Sequence, residues 1–299
     1  MKVKDNYHIY ALTTVLLWAL PYVYTRLALQ HFSVFSLGFL RYFAASCVLV
    51  LIVVIARIKP PKMRDLPLFA AAGATGFFLY MIFYNQGMAR VTASTGSVIV
   101  STVPVITALM ARVVYKEALS ALRWAAIAVE LVGVIVLTLM DGVFSINSGL
   151  AWLMLGAVSL STYNLLQRRL TTKYSALQTA SYGIFFGTLM LTIFAPRAVG
   201  EVRTAAPIYF VYIAILGVLG SAIAYISWSK ALSKAKQTSQ VSNYMFVTPF
   251  AASILGFLLA GEVPDRATVL GGAIILFGVF LFNFGERIFA YALKKRVRA

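Results

Sequence analysis

Acidic residues are scarce, with nine Asp and Glu among 299 residues. Cysteine occurs once, as Cys47, and histidine twice, as His8 and His31. No intrachain disulfide can form, and Cys47, inside an apolar run, is expected to pack as a small hydrophobe. No metal cluster and no nucleophile–histidine pair can be assembled inside the apolar segments, which argues against an intramembrane enzyme. No Walker-type phosphate loop is present, so no bound nucleotide or other cofactor is expected. Charge of either sign is sparse at 12%, where soluble domains carry about 25%. What fills the chain instead is apolar: 61% hydrophobic residues, with a mean hydropathy of +0.86. A soluble globule could not hide that much apolar surface, so the composition points to an integral membrane protein with the lipid bilayer as its solvent.

A helical span needs about 20 mainly apolar residues. Ten runs qualify: 9–29, 34–56, 66–88, 91–114, 121–140, 148–168, 176–195, 207–229, 238–260 and 266–286. The net charge of +17 is distributed unevenly around them. Of 26 Lys and Arg, 20 fall in loops and termini on one side, 4 on the other, and Arg26 and Arg41 fall within spans. By the positive-inside rule both termini are expected in the cytoplasm. The same bias accounts for the basic charge without a nucleic-acid partner.

The segment STVPVITALMARVVYKE at 101–117 is echoed by FVTPFAASILGFLLAGE at 246–262. The offset of 145 also pairs Gly76 with Ser221, Tyr80 with Tyr225, Ser94 with Ser239, Ser97 with Ser242, Ser120 with Asp265 and Gly133 with Gly278. Residues 1–145 and 146–299 therefore read as two five-span repeats. An odd number of spans inverts the second copy, an architecture common among secondary transporters. With the repeat, the Leu276–Phe277–Gly278–Val279 ending of the last span and the WALPYVYTR and FLRYFAA stretches, the chain resembles EamA-type members of the drug/metabolite transporter superfamily. The resemblance implies a ten-helix basket around a central cavity lined by helices 1–4 and 6–9, with helices 5 and 10 peripheral. It also implies export of small metabolites or amino acids across a bacterial inner membrane.

Candidate residues follow from depth and spacing. Tyr80 and Tyr84 in span 3, and Tyr225 and Trp228 in span 8, recur at helical steps, and aromatic residues with polar tips are unusual facing lipid at mid-span. They are expected to line the cavity; interhelical packing is the alternative. Trp18, Tyr22, Tyr163, Asn164, Asn243 and Tyr244 are further candidates. Pro104 and Pro249 each remove a backbone hydrogen bond and are expected to act as hinges, while the small residues around them read as close helix packing. Arg41 has two readings, a bidentate partner for a substrate carboxylate or a structural bond to backbone carbonyls. Arg26 is expected to snorkel to water. Glu130 is expected to find a local hydrogen bond or ion pair, with proton coupling as the alternative. Glu117 and Glu262 read as loop-positioning groups, three residues before the N-caps Ser120 and Asp265. The expected function is carriage of a small-molecule substrate by alternating access, most simply as an amino-acid exporter acting as a monomer, with protons as a candidate coupling ion. An importer of the same fold and a non-transporting scaffold are the alternatives.

Overall fold

The structure is a computed structural model that describes residues 7–116, 119–139, 148–234 and 243–297. Among the described residues there is no strand. The chain opens with α1 (Tyr7–Ala28) and α2 (Val34–Ile55). Next, α3 runs through α-helical Leu66–Gly73, π-helical Ala74–Leu79 and α-helical Tyr80–Met88. Helix α4 is broken into Ala93–Val100 and Val103–Tyr115, and α5 is Ala121–Leu139. Helix α6 is Ser148–Thr171; α7 is Ala176–Leu191, continued by a 3-10 turn at Thr192–Phe194 into Ala195–Arg203. Helix α8 comprises Pro207–Ala214, a π-helical stretch at Ile215–Ile223, and Ala224–Lys234. Helix α9 (Val247–Ala260) follows a 3-10 turn at Asn243–Phe246, and α10 is Arg266–Val297.

Six of the resulting helices are long and apolar enough to cross a membrane: Val34–Ile55, Met63–Met88, Ala93–Tyr115, Ser148–Thr171, Leu177–Arg203 and Pro207–Trp228. Val247–Ala260 and Arg266–Phe282 are shorter apolar helices. Helix α10 passes the expected end at 286, because its last apolar turn leads into residues that still favour helix, such as Ala, Leu and Lys. Helix α7 likewise passes 195: Pro196 stands in the first turn of Ala195–Arg203, where its missing N–H costs nothing.

Local signals recur at matched places in the two halves. Ser33 and Ser175 N-cap α2 and α7, accepting from Ser36 N and Gln178 N. Ser120 Oγ accepts from Arg123 N, and Asp265 Oδ1 accepts from Thr268 N, so the expected caps of α5 and α10 both form. The C-cap of α4 is Lys116, with φ 56°, and α9 ends at Gly261, with φ 64°. This left-handed turn closes the helix through Gly261 N to Phe257 O and delivers the next residue, Glu262, back toward the bundle. Glu117, the counterpart of Glu262, lies outside the described residues, as do Ser239 and Ser242. The π-helical stretches of α3 and α8 also overlap at the 145-residue offset.

Both expected hinge prolines stand just after a change of helix type. Pro104 is in the first turn of Val103–Tyr115, and Pro249 in the first turn of α9 after the 3-10 turn. At the α4 break, Ser101 Oγ donates to Val98 O (2.6 Å) and Thr102 Oγ1 to Ile99 O (2.7 Å), tightening the turn that the proline interrupts. Helix α5 packs along α10, where a Cβ on Gly278 would meet Glu130 Cγ at 2.5 Å. Helices α1–α4 and α6–α10 share the main buried cluster. Cys47 is exposed on α2, contrary to the expected packing role, since an apolar run in lipid has an outward face as well as an inward one.

Candidate functional site

The aromatic candidates converge. Trp18 of α1 lies 4.9 Å from Trp228 and 5.6 Å from Tyr225, both on α8, between ring centroids. Tyr225 meets Phe77 of α3 at 5.6 Å, and Phe77 meets Tyr42 at 5.2 Å and Tyr163 at 5.0 Å. Beside this chain, Tyr84 contacts Tyr80 at 5.5 Å and Tyr22 at 5.8 Å. Most contacts are edge-on, the arrangement that ring quadrupoles favour. Sequence reasoning missed Phe77 and Tyr42, since neither has an aromatic repeat mate. Tyr22 and Tyr163, both candidates from the sequence, are among the members of the cluster.

Close backbone approach builds this cluster. A Cβ on Gly76 would sit 2.4 Å from the Tyr163 ring, so only glycine lets α6 insert that ring against the π-helical stretch of α3. A Cβ on Gly217 would sit 2.7 Å from Arg41 O, so glycine also seats α8 on α2 beside Arg41. One turn on, Ser221 Oγ accepts from Arg41 Nε (3.0 Å) and donates to Leu216 O (2.9 Å), a carbonyl five residues back within the π-helical stretch. The structural reading of Arg41 is thereby corrected in its partner: it bonds a hydroxyl, not backbone carbonyls.

Arg41 is 6% exposed and lies 5.6 Å from the centroid of the Tyr42 ring. It is within electrostatic reach of Tyr22, Tyr80, Tyr84 and Tyr225. Among the described residues no carboxylate pairs with it. The Tyr163 hydroxyl is buried without a hydrogen-bond partner, while the hydroxyls of Tyr84 and Thr25, and of Tyr42 and Tyr225, lie beside one another without closing a well-formed bond. Buried polar atoms normally find partners, so such hydroxyls around one cation mark a place built for something polar.

Other expectations sort as follows. Asn164 Nδ2 donates to Thr107 Oγ1 (3.2 Å), and Ser161 Oγ to Val103 O (3.2 Å), so the α4 break rests on α6 next to Tyr163. Asn243 begins the 3-10 turn before α9, and its side chain lies outside the description. Tyr244 bonds His8, away from the Arg41 cluster. Arg26 does not simply reach for water: it pairs with Glu262, whose Oε2 also accepts from Ala93 N (2.8 Å) at the start of α4. That latch joins α1, α4 and the α9–α10 turn, and Thr95 and Thr268 add a buried hydroxyl pair at 2.7 Å. Glu130 is buried with Oε1 unbonded, so the ion pair or local hydrogen bond expected there is not found among the described residues. A cavity of ≈310 Å³ opens between the α1–α2 turn, the end of α3 and α7, lined by Phe32, Phe35, Gln86 and Arg197, and not at the aromatic cluster.

A helical bundle with membrane-length apolar helices and a buried cationic aromatic cluster defines an integral membrane protein of the transporter class. The chain belongs to the EamA-like transporter family, whose model matches residues 6–139 and again 147–284. It is 31% identical to a probable terminal-alkyne amino-acid exporter of Streptantibioticus cattleyicolor over 271 residues, 90% of this chain and 91% of that one. An uncharacterized transporter of Bacillus subtilis is 30% identical, covering 88% of this chain and 86% of that protein. An uncharacterized inner membrane transporter of Escherichia coli is 25% identical over 92% of this chain and 89% of its own length. One crystal structure superposes with a TM-score of 0.64 at 16% identity, covering 95% of this chain and 99% of that chain, a likeness of fold.

Proposed function

We propose that the chain is a secondary transporter that exports amino acids or similar small metabolites by alternating access. In this reading ten helices form two inverted repeats, 1–145 and 146–299, in the cytoplasmic membrane, with both termini inside. The observation that carries the proposal is the placement of Tyr80 and Tyr225, each just after the π-helical stretch of its helix, in one cluster with Arg41 and the unpartnered Tyr163 hydroxyl. π-Helical turns concentrate at functional sites, and inverted-repeat carriers bind near the repeat interface. The tandem family match and the recurring caps support the repeat. The Arg26–Glu262 latch lies at the outer end in this orientation, so that end is closed, and the packed rings of the cluster must part for the chamber to form. Exchange of the two halves' conformations would open it to either compartment.

Substrate is proposed to contact Trp18, Arg41, Tyr80, Tyr84, Tyr163, Tyr225 and Trp228, with Asn243 a candidate at the start of α9. Pro104 and Pro249 serve as hinges, and protons remain a candidate coupling ion. The probable amino-acid exporter among the relatives favours amino acids as the class. Purified protein in proteoliposomes, given a panel of amino acids that includes terminal-alkyne ones and a pH gradient of either sign, tests the proposal. Saturable flux that falls at least tenfold in Tyr80→Ala and Tyr225→Ala is expected. Flux no greater than in empty vesicles for the whole panel would refute it.

A further inference from the structure

We infer that the ligand of this chamber is recognised through a carboxylate docked on the two Nη groups of Arg41, and that cationic amines lacking a carboxylate are excluded. The inference rests on the transport reading for the chamber's purpose and names the chemistry that the chamber selects. Arg41 is held from one side only. Its Nε donates to Ser221 Oγ, which is itself fixed by Leu216 O, so the head group is oriented while the opposite edge makes no hydrogen bond to the described residues. A guanidinium buried to 6% exposure without an anion is costly, and a planar carboxylate is the partner that matches its paired donors.

The described acids are all placed elsewhere. Asp65 bonds Lys173 and Tyr174; Glu201 bonds Arg197 and Ser33 N; Glu262 bonds Arg26 and Ala93 N. Asp265 caps α10, Glu286 pairs with Arg123, and Glu130 faces α10 from α5. Among the described residues the chamber is therefore positive, with no carboxylate to receive an ammonium. An ammonium on the same ligand would lie among the Tyr22, Tyr84 and Tyr80 rings, whose π systems attract a cation. A bare cation would meet Arg41 with no carboxylate to offset the repulsion. The charge is also one-sided. Seven residues into α2 stands Arg41, and seven residues into α7 stands Gly183, so Tyr80 recurs as Tyr225 but the cation does not, and the ligand has one orientation.

The test uses wild-type protein in nanodiscs, with tryptophan fluorescence as the readout, since Trp18 and Trp228 both lie in the cluster. The probes are phenylalanine, phenylpropionate, phenylalanine amide and phenethylamine, with the corresponding leucine series. Both carboxylates of a series are expected to bind, and the amide and amine at least 100-fold more weakly. Arg41→Gln should remove that discrimination, and Arg41→Lys should restore only part of it because the paired donors are lost. An amine or amide binding as tightly as its acid, or no binding by any carboxylate probe, would overturn the inference. The ligand series in the wild-type protein decides the matter even if the Arg41 variants do not fold. Flux of phenethylamine by the wild-type protein as fast as that of phenylalanine would defeat this inference and leave the transporter reading standing; carboxylate binding without flux of any probe would do the reverse.

Discussion

Replacing Glu262 with alanine should open the end of the molecule where α1, α4 and α9 meet. Two interactions are lost together: the charge-assisted bond from Ala93 N at 2.8 Å, and the pair with Arg26. A hydrogen bond to a charged group is worth about 1.5–3 kcal/mol. The ion pair is 31% exposed on the Arg26 side and adds about 0.2–1 kcal/mol. Together they bias the closed form by about 2–4 kcal/mol, a population shift on the order of 30- to 1000-fold. Glu262→Gln keeps an acceptor and loses the charge, so its effect should be smaller. The measurement is the distance between spin labels at Gln30 and Val263, both exposed, in protein whose Cys47 is replaced by serine. A second, longer distance should appear in Glu262→Ala, weakly in Glu262→Gln, and not in the parent. Identical distance distributions in all three proteins would show that the latch holds nothing closed.

Gly76→Val should lower the melting temperature in detergent by the equivalent of about 1–3 kcal/mol, because its side chain would enter the Tyr163 ring; combining it with Tyr163→Ala should recover part of the loss, and an unchanged melting temperature would show that the contact is loose. Pro104→Ala and Pro249→Ala should slow flux at least several-fold while changing thermal stability little, since a first-turn proline lacks only an N–H that has no intrahelical partner; unaltered flux would make both prolines static kinks. Glu130→Leu should stabilise the protein by about 1–3 kcal/mol, as it removes a buried acceptor without a partner; destabilisation on heating would reveal that the carboxyl has a partner in solution.

Apolar run length located six helices of membrane-spanning length and two shorter apolar ones among the described residues, because a bilayer sets that length directly. The breaks in α4 and before α9 were legible from Pro104 and Pro249, and the caps from Ser120 and Asp265, since each acts through its own backbone. The 145-residue offset pairs the Ser120 and Asp265 caps and overlaps the π-helical stretches of α3 and α8, but it passes over the Ser33 and Ser175 caps, which stand three residues closer together. The Arg26–Glu262 pair and the Arg41–Ser221 bond join residues 236 and 180 positions apart. No local pattern announces such a contact; only the way the helices pack brings the partners together. Phe77 was invisible for a related reason: it is one phenylalanine among 21, and its role comes from the glycine beside it that admits the Tyr163 ring.

The central claim is that one chamber, at the Arg41 and aromatic cluster, opens in turn to each compartment. Cysteine placed at Trp18, with Cys47 replaced by serine, reports this directly in membranes of known orientation. A membrane-impermeant thiol reagent should label that cysteine from outside in right-side-out vesicles and from inside in inverted ones, with a carried substrate slowing both reactions. Labelling from one side alone, under every substrate condition, would contradict the account.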